Sequence, residues 1–250
     1  MTIEYVAGNL FNLLPQTEGI NVIAHVCNDI GGWGSGFVLP LAKAFPQAEK
    51  AYRKWYEDGM TGDVRRINTM QPGTPFKLGE FQLVHCGEGT IVDFMVRRNG
   101  DQRGISVVVA NMIAQRSTIT RKPNSTPLKY WALAKCLSEL GDFWCRQKEV
   151  APIEVNLCCP KFGSALAGGS WDIIETLIEE CWVDRGLPVT IYEYPEADRE
   201  YLIVAYTRLL HKYRDVGNPH VAAFREAHQN DKLFAQRAEM VDNMGFHHEF

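Results

Sequence analysis

At 250 residues the chain is long for one ordinary domain and long enough to bury a substantial core, so one α/β domain with an appendage is expected. A formal net charge of -4 leaves no global field to draw nucleic acid, and Arg97, Arg98, Arg103, Arg116, Arg121 and Lys122 read as a solvated face. Seven cysteines, an odd number without a CxxC pair, exclude a disulfide framework, and no apolar run has the length of a membrane span. With no signal-peptide pattern at its start, the chain is expected to be soluble and cytoplasmic, without a structural metal site or a cofactor.

In chain order, short apolar runs alternate with longer helical patterns. Thr2 to Ala7 and Asn21 to Cys27 read as strands, and Phe37 to Glu57 as a helix interrupted at Pro46. Phe81 to Cys86, Thr90 to Val96 and Ile105 to Met112 read as strands, with Phe81 to Val109 forming a hairpin whose polar tip is Arg97 to Arg103. Thr126 to Lys148 places Leu133, Leu137, Leu140 and Trp144 on one helical face. Ile153 to Cys158 and Pro188 to Tyr194 are further strands, and the adjacent Cys158 and Cys159 are expected on opposite faces. Between them a helix starts after Ser170, a candidate N-cap, with Asp172 and Glu175 in or near its first turn, where the dipole favours acids. This order implies a mixed sheet with helices on both faces. After Pro195, Asp198 to Arg214 and Pro219 to Val241 read as two helices, with Asn218 capping and Pro219 at the first helical position of the second.

Two loops stand out chemically. The run Ile23 to Cys27 ends in Asn28 and opens into Gly31-Gly32-Trp33-Gly34-Ser35-Gly36-Phe37, and Ile153 to Cys158 leads into Cys159-Pro160-Lys161-Phe162-Gly163-Ser164-Ala165-Leu166-Ala167-Gly168-Gly169-Ser170-Trp171. Glycine removes the Cβ that would block approach and permits positive φ, so successive main-chain N–H groups can converge on an anion. Two such loops, each after a buried strand and before a helix, can close over one diphosphate from opposite sides. Neither carries the Gly-Lys-Ser/Thr of a P-loop, and neither is followed by the acidic residue that the dinucleotide fingerprint requires.

Together with Ala7-Gly8-Asn9-Leu10-Phe11, His25-Val26-Cys27-Asn28 and Val109-Ala110-Asn111-Met112-Ile113-Ala114-Gln115, these loops resemble the macro domain family of ADP-ribose-binding modules over residues 3 to 194. The His-x-Cys-Asn and Trp-Gly-x-Gly patterns are most similar to the branch containing the ADP-ribose 1''-phosphate phosphatases. They are less similar to the branch that reads Asn-Ala-Ala-Asn before Gly-Gly-Gly. The resemblance implies a three-layer α/β/α sandwich with a mixed central sheet over residues 1 to 195 and leaves 196 to 250 as a helical C-terminal extension.

The resemblance also implies a set of site residues. His25 matches the catalytic histidine of the phosphatase branch, the alternative being a strand histidine satisfied by a hydrogen bond. Asp29 is a candidate to orient His25 or activate water, and Gln115 to place water or the ribose. Asn9 stands where many relatives place an aspartate that accepts a hydrogen bond from the adenine amine, so that contact loses charge assistance here. Asn28 matches the asparagine that meets the distal ribose, with loop capping as its alternative. Gly8, Leu10, Gly32, Trp33, Phe37 and Gly163 are expected to line the ligand. Main-chain N–H groups of Gly34, Ser35, Gly36, Ser164, Ala165, Leu166, Ala167 and Gly168 are expected on the diphosphate, and Lys161 is expected as a solvated charge. The branch that uses a lysine and an aspartate would need its acid near Ala167, and the loop aspartate of another hydrolytic branch would stand near Phe37 or Val38; neither acid is present. The leading expectation is an ADP-ribose 1''-phosphate phosphatase. Removal of ADP-ribose from a macromolecule and non-catalytic binding of ADP-ribose are the alternatives.

Overall fold

Apolar runs rich in Val and Ile form β1 (Glu4–Ala7), β2 (Gly19–Asn28), β3 (Phe81–His85), β4 (Ile105–Gln115), β5 (Val155–Pro160) and β6 (Val189–Glu193). The computed structural model describes residues 2–14, 19–61, 74–86, 105–118, 126–150, 153–164, 167–193, 206–207, 209–210, 213, 217–227, 238–239 and 242. The expected strand Thr90 to Val96 and the hairpin tip at Arg97 to Arg103 lie outside these residues. The chain divides into two compact units, Met1–Glu193 and Tyr194–Phe250.

In the first unit the strands form one sheet in the order β1-β6-β5-β2-β4-β3. All neighbours are parallel except β3 and β4, which pair antiparallel with Phe81 opposite Met112, so the sheet is mixed. The helices are α1 (Leu10–Leu13), α2 (Val38–Ala44), α3 (Pro46–Thr61), α4 (Tyr130–Val150) and α5 (Trp171–Ile178), the last continued by a π-helical turn at Glu179–Val183.

Each face of the sheet carries its own core. Ile20, Val22, Ala24, Ala110, Met112, Leu157, Cys159 and Ile191 pack under α4 and α5, whereas Ile23, Cys27, Val109, Ile113, Cys158 and Tyr192 pack under α1, α2 and α3. Strand alternation therefore sends Cys158 and Cys159 into opposite layers, as the sequence predicts. The face of α4 that carries Leu133, Leu137, Leu140 and Trp144 is fully buried. The result is the expected α/β/α sandwich.

Several boundaries move for identifiable reasons. Strand β4 runs on to Gln115 because its C-terminal end keeps pairing with β2, with a bulge between Cys27 and Asn28. The helix expected from Thr126 starts at Tyr130, because Leu128 is held in an antiparallel bridge with Gln115: the Arg116 N–H bonds Pro127 O, and the Leu128 N–H bonds Ala167 O at 3.0 Å. Strand β5 is shifted to Val155–Pro160. Ser170 occupies the N-cap of α5 without a side-chain cap bond; its N–H donates to the Tyr130 hydroxyl at 2.7 Å. Asp172 lies in the first turn of that helix, whereas Glu175 bonds the Tyr5 hydroxyl. Among the described residues no helix is long and apolar enough to cross a membrane.

In the second unit, α6 (Pro219–Ala227) begins as expected, with the Asn218 side chain accepting the His220 N–H at 3.0 Å. Tyr206, Leu210, Val221 and Ala238 form its small core.

Candidate functional site

Strands β2 and β5 are parallel neighbours in register from Ile20 opposite Val155 to Ile23 opposite Cys158, so both glycine loops leave the same edge of the sheet side by side. From β2 the chain runs through α2 and α3 to β3 on one side, and from β5 through α5 to β6 on the other. Adjacent strands whose connections diverge in this way open a crevice beyond their C-terminal ends, where α/β sheets bind ligands.

The first loop is shaped by Asn28. Its Oδ1 accepts the N–H of Ile30 at 3.1 Å and of Gly32 at 2.9 Å, and its Nδ2 donates to Gly32 O at 2.7 Å. Tyr52 from α3 donates to Asn28 O at 2.5 Å. Asn28 is thus the loop's staple, and among the described residues one Nδ2 hydrogen is left over. Gly31 takes φ +68, and a Cβ there would press into the Tyr56 ring. Trp33 turns inward, 4% exposed, with its Nε1 donating to Val38 O at 3.0 Å, so its indole belongs to the core. Beyond it, a Cβ on Gly34 would meet nothing within 4 Å, Gly36 takes φ +80, and Phe37 caps α2. On the neighbouring turn Gly8 donates to Glu193 O, Asn9 caps α1 by accepting the Phe11 N–H at 3.0 Å, and Leu10 is buried. Phe11 stacks on Phe37 with centroids 5.5 Å apart, tying the Asn9 turn to the first loop.

The second loop closes on itself through Gly169 N–H to Gly163 O at 2.9 Å, and Leu128 seats it through the Ala167 carbonyl. Gly163 and Gly168 have φ +77 and +68, values a side chain tolerates poorly. Lys161 keeps 36% of its side chain exposed and is also paired at the surface: its Nζ lies 3.0 Å from Glu193 and 5.2 Å above the Trp171 ring, linking the loop's start to β6 and its end to α5. Ser164 donates to Lys161 O at 3.2 Å; Ala165 and Leu166 lie outside the described residues. A Cβ on Gly169 would press on Leu128 and sit 2.8 Å from Gly163 O, which is backbone and cannot swing aside. Gly169→Ala is therefore expected to lower stability by about 1 to 3 kcal/mol through overpacking, read as a lower urea midpoint.

His25 faces α3 and is 2% exposed, its ring flanked by Trp33 at 5.4 Å and Phe37 at 5.8 Å. Its Nε2 lies 2.7 Å from Asn111 Oδ1. Burial pulls the imidazole pKa from 6.5 to about 4 although the Asn111 bond opposes the shift, so the ring is neutral at pH 7. Asp29 does not reach it. Past the bulge at Cys27 and Asn28 the Asp29 carboxylate turns to the end of β4, accepting the Ser117 N–H at 2.7 Å with Arg116 at 3.9 Å. Gln115 donates to Ser117 O at 2.9 Å, so Asp29 and Gln115 together hold Ser117 at φ +61, an αL conformation that costs a non-glycine residue energy. The buried side chain that bonds His25 is Asn111, which is not among the expected site residues. Its signal is present in the sequence: a lone amide in the otherwise apolar run Val107 to Ile113 must find a buried partner. Among the described residues no group of three or more His, Cys, Asp or Glu side chains is placed to hold a metal ion.

No sequence-family profile matches the chain. It is similar to a macrodomain protein of Streptomyces coelicolor, 33% identical with a TM-score of 0.51, covering 77% of this chain and 99% of that one. It is also similar to a protein of unknown function from Bacteroides thetaiotaomicron, 31% identical with a TM-score of 0.57, covering 77% of this chain and 98% of that one. A 55-residue stretch is 36% identical to the ADP-ribose 1''-phosphate phosphatase of Lodderomyces elongisporus, covering 22% of this chain and 34% of that protein's length. With the sandwich, the diverging strands and both glycine loops in place, these likenesses show that the chain belongs to the macrodomain family.

Proposed function

We propose that the chain binds ADP-ribose in the crevice between its glycine loops and hydrolyses an ADP-ribose derivative at C1'', with ADP-ribose 1''-phosphate as the leading substrate. The observation that supports this most directly is the side-by-side exit of both loops from β2 and β5, with an imidazole and an asparagine at the end of β2. In this reading the main chain of Gly34, Ser35 and Gly36 faces that of Ser164, Ala167 and Gly168 across the diphosphate. The second lone pair of Asn9 Oδ1 receives the adenine amine, and the remaining Nδ2 hydrogen of Asn28 reaches the distal ribose. A water oxygen bonds to phosphorus as the bond from phosphorus to the C1'' oxygen breaks, giving ADP-ribose and inorganic phosphate. Neutral His25 takes the water's proton and returns it to the departing oxygen. The phosphatase-named relative from Lodderomyces elongisporus favours this substrate over others.

The burial of His25 behind Trp33 and Phe37 favours a second reading, a module that holds ADP-ribose without turning it over. Calorimetry with ADP-ribose beside a phosphate-release assay separates the two: heat with turnover supports the hydrolase, and heat without turnover the module. Gly34→Ala tests the crevice itself. Its methyl meets no protein atom within 4 Å, so the urea midpoint should hold while ADP-ribose affinity falls about tenfold or more, about 1.4 kcal/mol. Unchanged affinity would move the ligand away from the first loop.

A further inference from the structure

Beneath the first loop lies a row of polar side chains of which the reaction above uses only His25. His25 on β2, Asn111 on β4 and Gln82 on β3 stand opposite one another in register, all pointing to the α3 face and all less than 9% exposed. Gln82 Nε2 donates to Ala51 O at 3.1 Å, which turns Gln82 Oε1 toward Asn111. Asn111 Nδ2 then donates to that Oε1 at 3.1 Å and to Ala48 O at 3.3 Å, which turns Asn111 Oδ1 toward His25 Nε2 at 2.7 Å. Alanines at 48 and 51 let the helix backbone come this close to the sheet.

We propose that Asn111 is a positioning residue for His25: oriented by Gln82 and the carbonyls of Ala48 and Ala51, it fixes the imidazole as the Nε2–H tautomer and leaves Nδ1 as the lone pair. This rests on the reading of His25 as the group that meets the substrate's water. The directionality follows from the donor inventory. A carbonyl accepts only, so two helix carbonyls set both amides, and the second amide offers the ring an acceptor. The opposite tautomer, with Nδ1–H donating to the backbone at Val26, would require Asn111 to turn over and face Gln82 Oε1 and Ala48 O with its own oxygen. Three buried acceptors would then meet without a hydrogen, a heavier loss than the one bond gained. A ring pinned at Nε2 presents its other nitrogen in one direction, as a general base requires.

The test starts with the unmodified protein. Long-range nitrogen–proton correlation spectra of the 15N-histidine-labelled chain at pH 7 should show His25 neutral with its proton on Nε2; a proton on Nδ1 overturns the proposal. In Asn111→Leu the fixed tautomer should be lost and turnover of ADP-ribose 1''-phosphate should fall by about 10²-fold, within the range of a general acid–base contribution, with ADP-ribose affinity held. In Asn111→Asp, which keeps an acceptor for Nε2–H, the tautomer should return. A leucine variant that folds and retains the wild-type tautomer also overturns the proposal. If both variants fail to fold, the wild-type spectrum still decides. The tautomer needs no substrate, so absent turnover by the wild-type chain would refute the phosphatase reading and leave this readout intact.

Discussion

Turnover of ADP-ribose 1''-phosphate is expected to fall by about 10² to 10⁴-fold in His25→Gln, the size of a lost general acid–base contribution, while ADP-ribose binds as before. Glutamine is the informative replacement. Its amide N–H can still donate to Asn111 Oδ1 and its length fills the space between Trp33 and Phe37, so the floor beneath the first loop survives. What is removed is a group able to take a proton at neutral pH. In the proposed complex both loops reach the ligand through main-chain atoms, so the change leaves them in place. Phosphate release in single-turnover conditions, with calorimetric affinity measured alongside, reads the two quantities separately. An unchanged rate would show that the imidazole is a structural member of the β2, β4, β3 polar row and that the proton transfer belongs to another group.

Acid is expected to destabilise the fold, with His25 contributing roughly 3 kcal/mol of the loss. In the folded chain burial keeps this imidazole neutral down to about 4, whereas the unfolded chain protonates it near 6.5. Between these values the unfolded state binds more protons, so stability falls as pH drops through that window and levels off below it. Above pH 6.5 the residue contributes no slope. Urea midpoints of the wild type and His25→Gln, compared from pH 7 to pH 4, should therefore diverge: the wild type loses more stability than the variant over that interval. Parallel curves would mean that the ring is more accessible to protons than its 2% exposure implies.

These results bear on how much of the site could be read before the fold was known. The glycine loops, the strands that lead into them and the buried face of α4 follow from local patterns, because periodicity reports which way each side chain points. The placement of Cys158 and Cys159 in opposite layers is legible for the same reason. Partners are a different matter. Asp29, four residues beyond His25 in the chain, is its nearest carboxylate in sequence, yet a bulge and a turn send it to Ser117. Lys161 carries every sequence mark of a surface charge, yet β6 and α5 bring Glu193 and Trp171 to it. Asn111 and Gln82 lie far from His25 in the chain, and Asn111 meets it, with Gln82 behind, only because β4 and then β3 follow β2 in the sheet.

The sequence alone determined that two glycine-rich loops exist, that each follows a buried strand, and that an imidazole and an asparagine stand at the first, because hydrophobic alternation and glycine's missing Cβ act within a few residues. The tertiary structure decided that β2 and β5 are neighbours with diverging connections, which makes one crevice of two loops. It also decided that the ring of His25 is held from below by an amide row whose polarity begins at the carbonyls of α3. Strand order and register are settled by packing across the whole sheet, and no local pattern along the chain encodes them.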